Sequence, residues 1–213
     1  MLNNNLSNLP LADNVCAVII AFNPDNNLLD SIYVLMNQVK EIIVVDNGST
    51  EVGSLQIINE AEKIKSVHLI RNNYNFGVAT ALNTGILKSI QRGYLWTLQM
   101  DQDSIPQPDM VQKICTVAKS CDISNIGMIG INYSVNNRPL IKKNNRNGIY
   151  KSVLTLITSG TMISNNVFVK TGNYRDDFFI DSVDFEYCLR LQLKGFKCAQ
   201  LGFEPVKVSK VPS

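Results

Sequence analysis

Three short apolar, β-branched runs punctuate the first third of the chain: Val15–Phe22, Glu41–Asp46 and Val67–Arg71, each closing on polar or turn residues. Such runs, without strict alternation, are the pattern of strands covered on both faces. Between them, apolar residues recur at helical spacing over Leu28–Gln38 (Leu28, Leu29, Ile32, Leu35, Met36) and over Val52–Ile64 (Leu55, Ile58, Ala61). The order β-α-β-α-β predicts an α/β fold with a mostly parallel sheet flanked by helices. A third helix is expected over Val78–Gln91. A fourth strand, Tyr94–Met100, runs into Asp101-Gln102-Asp103, and a helix over Met110–Lys119 follows with Pro108 at its N1 position.

Beyond this point the pattern is less regular. Ile126–Tyr133 reads as a strand and Ser134–Gly148 as a polar, basic surface loop. Ser152–Thr158 and Gly160–Ile163 read as strands on either side of Ser159-Gly160. A helix over Asp184–Lys194 is stopped by Gly195 at C′, and Lys197–Leu201 forms a last strand. The 213 residues fit a single domain over 15–206, made of halves 15–104 and 105–206, with a flexible arm over 1–14 and a tail over 207–213.

Composition narrows the function classes. Hydrophobic residues at 45% and charged residues at 18% exclude a disordered chain or a coiled coil. A net charge of +2 is too small and too dispersed for a nucleic-acid footprint, so no nucleic-acid partner is expected. Cys16, Cys115, Cys121, Cys188 and Cys198 contain no CxxC pair, which predicts reduced thiols in a cytoplasmic chain rather than a disulfide frame or zinc site. The N-terminus has no basic region followed by an apolar stretch, and no apolar run approaches the roughly 20 residues a membrane-spanning helix needs. The 25 asparagines are given no functional weight.

Ligands of open α/β sheets bind beyond the carboxyl ends of the strands. Four polar groups are expected there: Phe22-Asn23-Pro24, Asp46-Asn47-Gly48-Ser49, Arg71 to Gly77, and Asp101-Gln102-Asp103. The absence of GxGxxG after the first strand and of GxxxxGK[ST] anywhere argues against a dinucleotide oxidoreductase and a P-loop nucleotidase. Asp46 is suited to accept hydrogen bonds from a base or ribose, or simply to close an Asx turn before the next helix. Asp101 and Asp103 offer hard oxygen ligands to Mg²⁺ or Mn²⁺, or are solvated turn acids. In DSVDFEYCLR, Asp184 stands at a helix N-terminus as a candidate base or as an N-cap, with Asp181 its rival and Glu186 a further alternative. The helix dipole would lower its pKa while Asp176, Asp177 and Asp181 would raise it, so sequence does not set the sign of the net shift. His68, the one histidine, lies inside a strand, which leaves Ser-His or Cys-His catalysis little support.

Taken in order, these motifs resemble glycosyltransferase family 2, with its type-A nucleotide-sugar-binding, Rossmann-like fold. The carriers are VIIAFNPD, IIVVDNGST, IRNNYNFGVATALNTGI (Asn75, Gly77, Asn83, Gly85), LQMDQDSIP and FFIDSVDFEYCLRLQLKGFK. FNP, DQDS and FIDSVDFEYCLR most resemble bacterial rhamnosyltransferases that use dTDP-L-rhamnose. The resemblance makes 15–104 the nucleotide-binding half and 105–206 the acceptor side. It sets Phe22, Asn23, Asn75, Gly77 and Asn83 around the nucleotide, Asp46 and Arg71 at the nucleobase, and Asp101 at the ribose. Asp103 becomes the ligand of a divalent cation (Mg²⁺ or Mn²⁺) and of the donor diphosphate, and Asp184 the base.

The implied activity is inverting transfer of a sugar, rhamnose in the first instance, from dTDP-rhamnose or a UDP-sugar to a lipid-linked saccharide acceptor in the synthesis of surface polysaccharide of O-antigen or capsule type. The chain departs from the pattern in carrying Val183-Asp184 where relatives have Glu-Asp, and in lacking a helical extension after Ser213, so a C-terminally shortened enzyme is expected. A donor-binding remnant without catalysis is the first alternative. A sugar nucleotidyltransferase is the second, disfavoured because FNPDNN lacks a Gly-rich basic loop. The basic stretch Lys142–Arg146 suggests peripheral contact with the inner face of the cell membrane, against the simpler reading of a solvated loop.

Overall fold

Side chains along β1 (Val15–Ala21) alternate between two apolar layers: Val15, Ala17, Ile19 and Ala21 face one, Cys16, Val18 and Ile20 the other. This is the period of two expected of a strand buried on both faces. The computed structural model describes residues 9–120, 122–131, 133–135, 138–139, 150–201 and 206–208. After β1 come α1 (Asn27–Leu35), β2 (Ile42–Asp46), α2 (Val52–Glu62), β3 (Val67–Arg71), α3 (Val78–Gln91) and β4 (Trp96–Asp101). The second half holds β5 (Ser104–Ile105), α4 (Met110–Ser120), β6 (Ile126–Gly130), β7 (Tyr133–Val135), β8 (Arg138–Pro139), β9 (Tyr150–Val153), β10 (Thr161–Ser164), α5 (Asn165–Thr171), α6 (Val183–Leu193), β11 (Lys197–Leu201) and β12 (Val206–Val208).

The main sheet runs β3-β2-β1-β4-β10-β6-β11-β9. β3, β2, β1 and β4 are mutually parallel, β10 is antiparallel to both its neighbours, β11 is parallel to β6, and β9 is an antiparallel edge. A smaller sheet, β5-β12-β7-β8, joins the residues just after β4 to the end of the chain. Residues of α1, α2 and α4 pack on one face of the main sheet, and those of α3, α5 and α6 on the other.

The expected α/β class and the β-α-β-α-β order are present, and several boundaries differ for identifiable reasons. α1 stops at Leu35 instead of reaching Gln38, because the Gln38 side chain crosses to α4. It donates to Gln107 O at 2.9 Å and accepts the Val111 N–H at 3.0 Å. Gln38 therefore satisfies a donor at the start of α4, and Pro108 lies two residues before that helix rather than at N1. The strand expected over Ile126–Tyr133 divides into β6 and β7, which belong to different sheets. The strand expected over Ser152–Thr158 is β9, Tyr150–Val153, after which the chain leaves the sheet: Leu156 N–H meets Cys188 Sγ at 3.4 Å, and the Leu156 side chain fills the space above Gly130. α5 was not anticipated; it is short and rich in β-branched residues, which hide its period.

The arm expected over 1–14 is anchored in its last part, with Leu9 buried and a 3₁₀ turn at Ala12–Asn14. β8 and the last two residues of β7 lie inside the loop expected over Ser134–Gly148, whereas Lys142–Arg146 and Cys121 fall outside the described residues. No described helix is long and apolar enough to cross a membrane.

Gly85 sets the distance between α3 and the sheet, since a β-carbon there would drive into Val18 and press on Val45. Helix propensity alone favours alanine by about 1 kcal/mol, but overpacking a close-packed contact costs about 1–3 kcal/mol. Gly85→Ala is expected to destabilise the fold, read as a lower urea midpoint at unchanged slope; an equal or higher midpoint would show that α3 is free to rise off the sheet.

Candidate active site

Because β1 to β4 are parallel, their polar carboxyl ends share one edge, with Ala21 opposite Asp46, Asp46 opposite Arg71, and Ile20 opposite Asp101. On the β2 side, Asp46 is 3% exposed and its Oδ1 accepts the Ser49 N–H at 3.0 Å. Ser49 Oγ in turn accepts the Asn23 N–H at 2.8 Å. Asn23 adopts a left-handed backbone (φ 46°), and its side-chain oxygen accepts the N–H groups of Thr50 and Glu51. It thus caps α2, whose own N-cap residue Glu51 makes no side-chain cap. The Phe22 ring is exposed, while its backbone N–H and carbonyl both bond the Gln102 amide. Arg71 is turned onto α2, donating to Asn59 at 2.8 Å and Glu62 at 2.9 Å. Such an exposed pair contributes only about 0–1 kcal/mol, so little holds the guanidinium from a ligand at the neighbouring Asp46.

Sequence reasoning placed Asn47 at the strand end but gave it no role of its own. It is buried, with its amide donating to Asn75 Oδ1 and Gly77 O and its oxygen accepting from Asn72 Nδ2 and the Phe76 N–H. Its position one residue after a strand-ending acid was the available signal. Asn75 also accepts the Gly77 N–H, so Asn75 and Gly77 shape the turn into α3. Gly77 has φ 86° and lies under Phe179, whose carbonyl accepts the Val78 N–H at 2.6 Å. A side chain there would clash as well as strain the backbone. Asn83, expected beside the nucleotide, is 5% exposed and spends its amide on Tyr174 N–H, Tyr174 O and Asp176 Oδ1. The structure makes it a brace between α3 and the segment leading to α6.

The acids converge at the end of β4. Burial, together with the negative charges of Asp103 and Asp184, pushes the Asp101 pKa up to about 7. An acid two residues on and one from the far half of the chain therefore both act on Asp101. The link is the loop before β10: Ser159 Oγ accepts the Asp101 N–H at 3.1 Å, and Gly160 N–H bonds Gln99 O at 2.8 Å.

Asp184 lies in the first turn of α6, half-buried, accepting the Phe185 N–H at 2.9 Å. Burial raises its pKa, against the lowering effect of backbone N–H donors that include Thr158. The neighbouring acids expected to raise it are engaged elsewhere or exposed: Asp176 bonds Asn83, Asp177 pairs with Arg175, and Asp181 is open to solvent. Glu186 is committed to a two-point ion pair with Arg190. His68 lies on β3, away from these acids, with its pKa lowered chiefly by burial.

Among the described residues no three His, Cys, Asp or Glu side chains form a closed metal site. One or two carboxylates at an open strand end nevertheless suit Mg²⁺ or Mn²⁺, which bind through few protein oxygens together with substrate phosphates and water. A cation there would offset the negative charge that Asp103 and Asp184 add at the buried Asp101. A separate cleft, lined by Ile90, Tyr94, Lys119, Ile123, Val169 and Phe196, lies at the other end of the strands.

The profile described as Glycosyl transferase family 2 matches residues 16–177. The dTDP-rhamnosyl transferase RfbF of Shigella flexneri is 31% identical over 193 residues, which cover 83% of this chain and 62% of that protein. An uncharacterized glycosyltransferase of Haemophilus influenzae is 29% identical over 203 residues, covering 85% and 58% respectively. The chain thus spans about three fifths of the length of these curated relatives. Among solved structures, GalNAc-T7 with UDP, GalNAc and Mn²⁺ aligns with a TM-score of 0.71 at 13% identity, over 89% of this chain and 42% of that one. S. aureus TarS 1-349 in complex with UDP aligns with a TM-score of 0.68 at 15% identity, over 90% and 59%. At such identities the likeness is one of fold, the type-A glycosyltransferase architecture. The family profile spans the strand-end site from β1 through Asp103, and by that match the chain belongs to glycosyl transferase family 2.

Proposed function

We propose that this chain carries an inverting sugar transfer from a nucleotide donor, L-rhamnose from dTDP-L-rhamnose, to a saccharide acceptor of cell-surface polysaccharide. The observation that carries the reading is the loop before β10, whose Ser159 Oγ accepts the Asp101 N–H while the Thr158 N–H bonds Asp184, so that a carboxylate from the second half of the chain stands near the end of β4. The choice of rhamnose is supported by the Shigella relative, and the family by the profile match.

In this reading Asp46 and Arg71 hold the nucleobase, with the exposed Phe22 ring beside them, and Asp101 faces the ribose. Asp103, together with the donor diphosphate, would hold a divalent cation, and the cation would supply charge neutralisation to the nucleoside diphosphate as it departs. Asp184 takes the proton from the acceptor hydroxyl as its oxygen attacks the anomeric carbon, and the bond to the diphosphate breaks on the opposite face. A carboxylate whose pKa burial has raised is a better base than an ordinary surface acid. The site's place in the cell, in this proposal, is the cytoplasmic face of the membrane, where peripheral contact would bring a lipid-linked acceptor within reach.

Asp184→Asn keeps size and much of the helix-start hydrogen bonding. It is expected to retain donor binding while lowering transfer by about 10²- to 10⁴-fold, measured as nucleoside diphosphate release in the presence of acceptor. Near-normal turnover in that variant, with collapse in Asp181→Asn, would move the role to Asp181. Donor binding without turnover in the unmodified chain would instead identify a donor-binding module.

For the donor half, calorimetric titration with dTDP or UDP and Mn²⁺ should show Asp103→Ala losing the metal dependence. Asp46→Ala and Arg71→Ala should each lose about 1–3 kcal/mol of nucleotide affinity, the scale of a hydrogen bond to a charged group. Unchanged affinity in all three would remove the donor from this edge of the sheet.

A further inference from the structure

β1 and β4 pair in parallel until Ile20 meets Asp101, where β4 ends, while β1 continues to Ala21 alongside β2. The backbone of Phe22 nevertheless finds partners on both of its polar groups. Its N–H donates to Gln102 Oε1 at 2.6 Å, and its carbonyl accepts from Gln102 Nε2 at 3.1 Å. One side-chain amide thus reproduces both bonds of a strand rung one step past the end of the ladder. The amide carries a donor and an acceptor side by side on one planar group; a carboxylate lacks the donor and leucine lacks both.

The two ends tied by this rung are the two ends of the candidate donor site. On one side are the Phe22 ring and, through Asn23 and Ser49, the buried Asp46. On the other are Asp101 and Asp103, which flank Gln102. We infer that Gln102 is a positioning residue that holds the nucleobase end of the donor site at a fixed distance from its diphosphate end, so that a nucleoside diphosphate engages both at once. The inference rests on the donor-site reading above. Its physical content is preorganisation: two weak half-sites held in register bind a ligand spanning them more tightly than the same half-sites left to move independently.

Gln102→Leu keeps the size and removes both bonds. Titration with dTDP in the presence of Mn²⁺ is expected to show about tenfold weaker binding, whereas dTMP without metal and Mn²⁺ without nucleotide each bind within about twofold of the parent. Hydrogen exchange of the Phe22 amide, followed without any ligand, should accelerate about tenfold, with the melting temperature little changed because Gln102 lies at the surface of the site. Gln102→Glu, which retains an acceptor for the Phe22 N–H, should restore most of that amide's protection.

Unchanged dTDP–Mn²⁺ affinity, a loss matched by an equal loss for either half-ligand, or an unaltered Phe22 amide would each overturn the role of Gln102. A parent chain that binds no dTDP with Mn²⁺ would defeat the donor-site reading itself, and with it this inference.

Discussion

The parallel pairing of β3, β2, β1 and β4 is the constraint from which the rest of the molecule follows. β2 and β1 bury apolar side chains on both faces, and the charged groups of these four strands, Asp46, Arg71 and Asp101, stand where the strands end. Since the strands run in one direction, those ends lie along one edge, about 4.8 Å apart from strand to strand. Phe22, Asp46, Arg71 and Asp101, spread over 80 residues of sequence, become neighbours for that reason alone. The antiparallel β10 then inserts between β4 and β6, and the loop that leads into it brings Ser159 to the backbone of Asp101.

Holding Asp184 near this edge sets like charges together and requires unfavourable backbone. Phe179 and Ser182, neither of them glycine, have positive φ in the segment before α6, a conformation that costs of order 1–3 kcal/mol per residue. It persists because the segment is over-determined. The Phe179 carbonyl receives the first N–H of α3, the Phe179 ring covers Gly77, and Asn83 grips Tyr174 and Asp176 from within α3. α3 is therefore both a layer of the core and the support that places α6.

Amide side chains take over wherever the backbone ladders stop. Asn23 supplies α2 with its cap, Asn47 organises the turn before α3, Gln38 closes the start of α4, and Gln102 extends the β1–β4 ladder. The groups that Asn47 and Gln38 satisfy are buried or half-buried and would otherwise cost about 1–3 kcal/mol when left unpaired. Arg71 shows the opposite case: its partners on α2 are exposed, so their pairing adds little to stability.

The apolar runs and their helical intervals were sufficient to read the α/β class, the first four strands and three helices between them, because burial on both faces writes itself directly into residue type. Val78–Gln91 and Lys197–Leu201 have the expected bounds, and Gly195 takes the left-handed conformation that ends α6. The strand-end acids were legible for the same reason, as polar residues that interrupt apolar runs. Tertiary contacts decided the remainder. The Gln38 amide sets where α1 ends and α4 begins, β10 runs antiparallel, and the chain after Val153 leaves its strand to pack Leu156 over Gly130. Asn83 becomes a brace, and the pKa of Asp184 is raised by burial rather than by the acids beside it in sequence. Sequence records which side chains must avoid water, while the partners and protonation of the polar ones depend on what the fold brings within about 3 Å of them.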